Sequence, residues 1–328
     1  MSPPEVRVGV IGFGTVGRSY IDALTGRRAA LERAGAVRLT LSEIAVREGR
    51  SDASFAGARL HNDAHALANN PAIDIVVEAS GAPQAGDWIV AALQRGAAVV
   101  TANKCALATH DGLLEALAAR RPGLYCEASV AAAVPIVRAL RDSLEGEEVR
   151  AIRGVLNGTT THVLSAIERG HSFVGALADA RKQGVCESDA RQDLSGNDAA
   201  CKLAILCTLA WSEPFPVTAV SVDGIGLALE EHVRRALARN TRVRLVASAT
   251  RRDGCVTASV RPVTLQHDDP LAAATGVANV VEVETALAGT LRWTGPGAGG
   301  PATASALLAD TLAAARWLVP AQTRRVAA

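Results

Sequence analysis

Over the first third of the chain, short β-branched apolar runs alternate with amphipathic stretches of helical length. VRVGVIG (6–12), VRLTLSEIAV (37–46), IDIVVEAS (73–80), AAVVTAN (97–103) and LYCEAS (124–129) read as strands, with segments such as 86–95 and 111–120 as the helices between them. Near-continuous apolar strands separated by helices predict a parallel sheet covered on both faces, an α/β, doubly wound arrangement. The stretch 135–211 reads as mainly helical, with one strand at VRAIRGVL (149–156). From 220 to 294 strand patterns dominate, at 242–250, 255–265 and 279–293, which predicts a second, α+β domain. A last helix, PATASALLADTLAAARWLV (301–319), closes the pattern, and neither an internal repeat nor a flexible linker interrupts it. The expected division is 1–134, with the helix at 301–320 packing back on it, and 135–300.

Composition narrows the partners. With 49% hydrophobic, 20% charged and only 3% aromatic residues, the cores must be built from Ala, Val, Leu and Ile. Lys and Arg number 34 against 33 Asp and Glu, so no excess charge exists to hold nucleic acid or an anionic membrane, and a small-molecule ligand is expected. The six cysteines (105, 126, 186, 201, 207, 255) form no CxxC pair and read as packing thiols of a reducing compartment. No leader pattern and no window of about 18 apolar residues is present, so a cytoplasmic protein is expected.

The motif GFGTVG (Gly12, Phe13, Gly14, Thr15, Val16, Gly17) follows the first strand and opens a helix. In that context it is a dinucleotide fingerprint: Gly12 makes a tight turn, Gly14 lets the backbone approach a pyrophosphate, and Gly17 allows close helix–strand packing. The first domain is therefore expected to be a Rossmann dinucleotide-binding domain. Where an acid would meet the adenosine ribose, the sequence has AVREGR, so Arg47, helped by Arg50, stands ready for a 2′-phosphate and favours NADP over NAD. Two solvated loop arginines would give the same pattern. Ser80, Thr101 and Asn103 lie at the ends of the third and fourth strand patterns and Lys104 just beyond, at the sheet edge where α/β proteins bind ligands, although a surface lysine capping a loop would give the same spacing.

ESDARQDLSGNDAACK (187–202) gathers Glu187, Asp189, Asp193, Asp198 and Lys202 within an otherwise apolar, alanine-rich region. SGND is a helix start with Ser195 or Asn197 as N-cap, and the helix that follows carries Leu and Ile on its buried side. Asp198 and Lys202, four apart, share one face; charges beside an apolar helix are seldom buried unless paired, so Asp198 is expected to hold Lys202. A solvated acidic loop ahead of a capped helix explains the pattern about as well.

The ordered motifs VGVIGFGTVG, VVTANK, EASV, VLNGTTTHVL, ESDARQDLSGNDAACKLAIL, SVDGIG and GPGAGGPATASALLAD resemble those of the homoserine dehydrogenase family over nearly the whole chain. The resemblance implies reversible hydride transfer between NAD(P)H and aspartate 4-semialdehyde, giving homoserine. It places Lys202 as acid/base with Lys104 beside it and Asp198 orienting the lysine, and gives Glu187 and Asp193 to the amino-acid substrate. It further implies a monovalent cation, Na+ or K+, on main-chain oxygens of Glu127, Val130, Ala132 and Val134, and a homodimer through the later strands. With the chain ending at 328, the expectation is a short form lacking the C-terminal regulatory domain of longer members.

Three departures stand out. Ala131, Ala132 and Ala133 replace the glycines that usually follow EASV, Thr161-His162 replaces Asn-Tyr, and Ala190 replaces a proline. His162 could serve as a ligand or proton carrier, with helix packing the expected role. The alanines leave a second reading open, an oxidoreductase for another small amino acid or aldehyde in a secondary pathway. A non-catalytic nucleotide-binding protein fits less well, since both lysines are present.

Overall fold

A computed structural model of the chain describes residues 3–47, 54–186 and 190–319. Arg50, Glu187 and Asp189, all singled out above, lie outside the described residues. The chain divides into two compact units, Met1–Ser129 with Gly299–Ala328, and Val130–Ala298.

Among its described residues the first unit holds a seven-stranded sheet. Its strands are β1 (Glu5–Ile11), β2 (Arg38–Ala45), β3 (Ser54–Phe55), β4 (Ala58–His61), β5 (Ile75–Glu78), β6 (Ala98–Thr101) and β7 (Leu124–Tyr125), in the order β3-β4-β2-β1-β5-β6-β7. All neighbours pair in parallel except β3 and β4. Strands that are apolar on both faces need cover on both faces, so β5 and β6 are buried at every position. The order reverses at β1, which pairs with β2 on one side and β5 on the other, the switch point at which such sheets bind nucleotides. Helix α1 (Thr15–Gly26) buries Tyr20, Ile21 and Leu24 in a core shared with Val8, Val10, Val77 and Val100. The closing helix, Gly300–Leu318, joins this core through Ala304, Leu307 and Leu308. It lies so close to α1 that a Cβ on Gly300 would come within 2.3 Å of Ser19 Oγ.

The second unit carries β8 (Val149–Val155), β9 (Val220–Val222), β10 (Thr241–Arg252), β11 (Cys255–Gln266), β12 (Ala278–Thr285) and β13 (Thr290–Pro296), in the order β13-β12-β8-β10-β11-β9. Helices α2 (Gly158–Glu168) and α3 (Asn197–Trp211) belong to the same unit. In α3, Asn197 stays exposed and Ala210 is half-buried, while every other residue is buried. The expected one-sided helix is therefore buried all round, which its run of Ala, Cys, Leu and Ile permits. At the end of α2, Glu168 meets the wholly buried Arg244 of β10 at 2.7 Å, and the guanidinium also donates to the carbonyls of Ala272 and Ala274.

Several expectations change. The strand expected over 124–129 stops at Tyr125, and Glu127–Ser129 is a 3-10 turn: Ser129 Oγ donates back to Cys126 O at 2.6 Å, and Glu127 N donates to Asp310 Oδ2 at 2.8 Å. The single pattern at 279–293 is a hairpin, β12 and β13, turning where Gly289 has φ +71°. The β3–β4 hairpin turns at Ala56 and Gly57, both with positive φ, and was not read because alanine is a poor signal for such a turn. Of the cysteines, four are buried, while Cys105 is half-buried and Cys255 exposed. Among the described residues, no helix is long and apolar enough to cross a membrane.

Ala131 and Ala132 adopt φ of +56° and +47°, whereas Ala133 does not enter the left-handed region. Two methyl groups thus sit where glycine would be relaxed, at about 1 to 2 kcal/mol each. Restoring glycine at 131 and 132 relieves that strain and outweighs the roughly 0.4 to 1 kcal/mol of unfolded-state entropy added at each position, so this double variant should melt at or above the wild-type temperature. Ala133→Gly, with no strain to relieve, should melt below it, and thermal unfolding of the two variants side by side checks both signs. Glu168→Ala should cost about 3 to 5 kcal/mol in urea unfolding, because the Arg244 charge is left buried and unpaired; adding Arg244→Met should restore most of the loss.

Candidate active site

In the first unit the sequence-derived residues gather at the carboxyl edge of β1, β5 and β6. Gly12 has φ +103°, and a Cβ there would stand 2.6 Å from Ser80 Cα. A Cβ on Gly17 would lie 2.1 Å from Gly12 O, so this glycine is where α1 presses on the turn. At Gly14 a Cβ would meet nothing within 4 Å: its open side is not needed for packing. Gly14 is also the N-cap of α1, and no side chain caps the helix. The first turn therefore presents backbone N–H groups and the positive end of the helix dipole to an open space, the condition for a pyrophosphate. The residues present fit a dinucleotide. The Phe13 ring lies under the Arg18 guanidinium at 4.8 Å and meets the Phe55 ring edge-on at 4.8 Å, walling the loop. Arg47 follows β2 and is exposed.

Ser80 follows β5, Thr101 ends β6, and Asn103 caps the short helix Lys104–Thr109 by accepting from Ala106 N at 3.0 Å. Lys104 is the first residue of that helix. The sequence did not single out Glu78. It is fully buried at the end of β5, with Ser80 and Thr101 hydrogen-bonded to its carboxylate. Its pKa is raised, because burial outweighs the opposing pull of hydrogen bonds from Ser80, Thr101 and Asn103.

In the second unit the opening acidic stretch becomes a compact polar cluster. Lys202 Nζ donates to Asp198 Oδ2 at 2.7 Å and to Leu156 O at 2.7 Å, with both side chains nearly buried. Asn157, also unread in the sequence, gives one amide hydrogen to Asp198 Oδ2 at 2.8 Å and the other to Asp193 Oδ1 at 2.7 Å. Its Oδ1 accepts from Thr160 N at 2.8 Å and so caps α2. Thr159 Oγ1 donates to Asp193 Oδ2 at 2.9 Å. The available signal was NGTT directly after a strand, an Asn in N-cap position, which foretells the cap but not the two carboxylates.

The cap of α3 differs from expectation. Gly196, with φ +86°, is the N-cap, and Ser195 ends the preceding one-turn helix, Arg191–Leu194. A glycine is needed because the chain must reverse through the left-handed region between two helices. Asp193 accordingly sits on that short helix rather than in a loop.

His162 is buried within α2, and its pKa is lowered, chiefly by burial and next by the Arg169 charge, as suits a packing histidine kept neutral. Glu127 lies in the 3-10 turn of the first unit; Val130, Ala132 and Val134 begin the second, all four buried. Among the described residues, no group of three or more His, Cys, Asp or Glu could hold a metal ion.

The chain is similar to known proteins over nearly its whole length. Residues 12–127 match the family described as homoserine dehydrogenase, NAD binding domain, and residues 135–312 match homoserine dehydrogenase. The chain is 37% identical over 319 residues to a homoserine dehydrogenase of Mycobacterium tuberculosis, covering 95% of this chain and 72% of that protein. It is 32% identical to an NAD(+)-dependent homoserine dehydrogenase of Pseudomonas canavaninivorans, covering 94% of this chain and 96% of that one. A solved homoserine dehydrogenase from Thiobacillus denitrificans superposes with TM-score 0.88 at 31% identity, over 96% of this chain and 74% of that one. A hyperthermophilic archaeal homoserine dehydrogenase in complex with NADPH gives 0.80 at 29% identity, over 96% and 99%. A dinucleotide-fitted glycine loop, a buried lysine–aspartate pair and matches over nearly the full length place this chain in the homoserine dehydrogenase family of NAD(P)-dependent oxidoreductases.

Proposed function

We propose that the chain interconverts homoserine and aspartate 4-semialdehyde, with Lys202 as the acid/base. The observation that carries the reading is the Lys202 ammonium fixed by Asp198 Oδ2 and Leu156 O, both at 2.7 Å. An ammonium has three N–H donors, and these two acceptors occupy two of them. The third is the one for a substrate oxygen. When bound, the nicotinamide supplies the hydride in the reductive direction and takes it in the oxidative one. In reduction, Lys202 donates its proton to the carbonyl oxygen as negative charge develops there; in oxidation it receives the hydroxyl proton. Asp198 stabilises the ammonium and fixes its direction, and Asn157 in turn fixes Asp198. Asp193, held by Asn157 and Thr159, orients the amino acid, and Glu187 is assigned as counterion to its α-ammonium.

For the cofactor, Gly12 to Gly17 hold the pyrophosphate, and Ser80, Thr101 and Asn103 line the nicotinamide side. Lys104 is assigned as a second cation for the reacting oxygen. Arg47 is assigned to a 2′-phosphate, which makes NADP the preferred form. A monovalent cation on the main-chain oxygens of Glu127, Val130, Ala132 and Val134 and a homodimer complete the reading and rest on the family likeness, and a cytoplasmic location rests on the cysteine usage. The buried, left-handed Ala131 and Ala132 favour one alternative, a different small amino acid or aldehyde as substrate of the same chemistry.

Steady-state oxidation of homoserine with NAD and NADP side by side tests the assignment; absence of turnover with either, alongside turnover of another hydroxy amino acid, would establish the alternative. Lys202→Ala should lower kcat by about a hundredfold or more with the dinucleotide still bound, the range for a lost general acid or base. Arg47→Ala should weaken NADP by about 1.5 to 3 kcal/mol and leave NAD nearly unchanged; equal losses would remove Arg47 from the phosphate site.

A further inference from the structure

Glu78 is a buried carboxyl that the proposed chemistry does not use. Its surroundings form a closed ring. Glu78 Oε1 accepts from Ser80 N at 2.8 Å and Ser80 Oγ at 2.6 Å. Ser80 Oγ accepts from Ala82 N at 3.0 Å, and Ala82 O accepts from Asn103 Nδ2 at 3.3 Å. Asn103 N donates to Thr101 Oγ1 at 3.0 Å, and Thr101 Oγ1 donates to Glu78 Oε2 at 2.9 Å, which returns to the start. The ring joins the loop after β5 to the loop after β6, two segments about 20 residues apart in sequence whose strands are neighbours in the sheet.

In a doubly wound sheet the dinucleotide straddles the switch point, adenosine on one side and nicotinamide on the other. Here β2 with Arg47 marks the adenosine side, so β5 and β6 underlie the nicotinamide side. We infer that Glu78 is a positioning residue for that half of the cofactor: it locks the loops bearing Ser80, Thr101, Asn103 and Lys104 into one rigid edge. The inference rests on the dinucleotide reading of the glycine loop. Both Glu78 oxygens are engaged, Oε1 by the Ser80 N–H and hydroxyl and Oε2 by the Thr101 hydroxyl, so the ring is closed through the carboxyl group. An amide cannot replace it without loss. A glutamine nitrogen in the Oε1 place would face two Ser80 donors. In the Oε2 place it would turn the Thr101 hydroxyl proton away and compete for the oxygen that holds Asn103.

The test compares whole cofactors with fragments that lack nicotinamide: NADPH with 2′-phospho-ADP-ribose, and NADH with ADP-ribose, bound to the full chain and followed by calorimetry. Glu78→Gln should raise the Kd of the whole cofactor by about tenfold, as expected for a lost hydrogen bond to a charged group, and leave the fragment's Kd unchanged. Thr101→Val, of nearly the same shape, cuts the ring at one link and should give the same split, with a lower thermal midpoint because Glu78 Oε2 and Asn103 N lose a buried partner. Equal weakening of cofactor and fragment, or a lowered melting temperature with unchanged cofactor affinity in Thr101→Val, would reduce Glu78 to a structural role. A wild-type protein that bound neither fragment nor cofactor would instead overturn the dinucleotide reading itself.

Discussion

A lysine and an aspartate in a helix buried on nearly every side set the terms for the second unit. Moving either charge out of water costs several kcal/mol, and their mutual attraction repays that only if the remaining hydrogen-bonding capacity is also met. The junction between β8 and α2 meets it with two consecutive residues. Leu156 gives its carbonyl to the lysine and Asn157 gives an amide hydrogen to the aspartate, while the same asparagine caps α2. The strand end, the helix start and the charged pair are thus fixed by one short segment. Unlike an exposed pair of the same spacing, whose net contribution is usually below about 1 kcal/mol, this one holds an ammonium in a single direction.

The main parallel strands and the helical cover of the first unit were legible because burial on both faces leaves uninterrupted apolar runs, and GFGTVG could be read because its strand–turn–helix context is local. The Asp198–Lys202 pair was legible for the same reason, since both lie on one helix at a spacing of four. Asn157 and Glu78 were not. Their partners are brought together by tertiary structure: Asn157 reaches residues 36 and 41 positions away, and Glu78 one 23 positions away. No periodicity within a segment encodes such contacts. The cap of α3 was misassigned because SGND offers two ordinary capping side chains, while the reversal between adjacent helices required the glycine between them.

The alanines after EASV show how one substitution reads differently at the two levels. In sequence they are added bulk. In the structure, two of the three are also backbone strain, held by burial of the surrounding residues Val130, Val134 and Ile136. Strain that persists at consecutive positions implies that the neighbourhood fixes the loop's shape more firmly than the residues themselves do.

The closing helix returns the chain to the first unit after the whole of the second has been traversed, since residues 130–298 lie between its two parts. During synthesis on the ribosome, the strands of the nucleotide-binding sheet therefore emerge long before the helix that covers them. Apolar surface destined for Ala304, Leu307 and Leu308 must wait through about 170 intervening residues, on the order of ten to thirty seconds at ordinary elongation rates. The second unit, continuous in sequence, can complete its own core within that interval. Order of translation thus makes the second unit the first that can finish folding and leaves the first unit, although begun earlier, to be completed last.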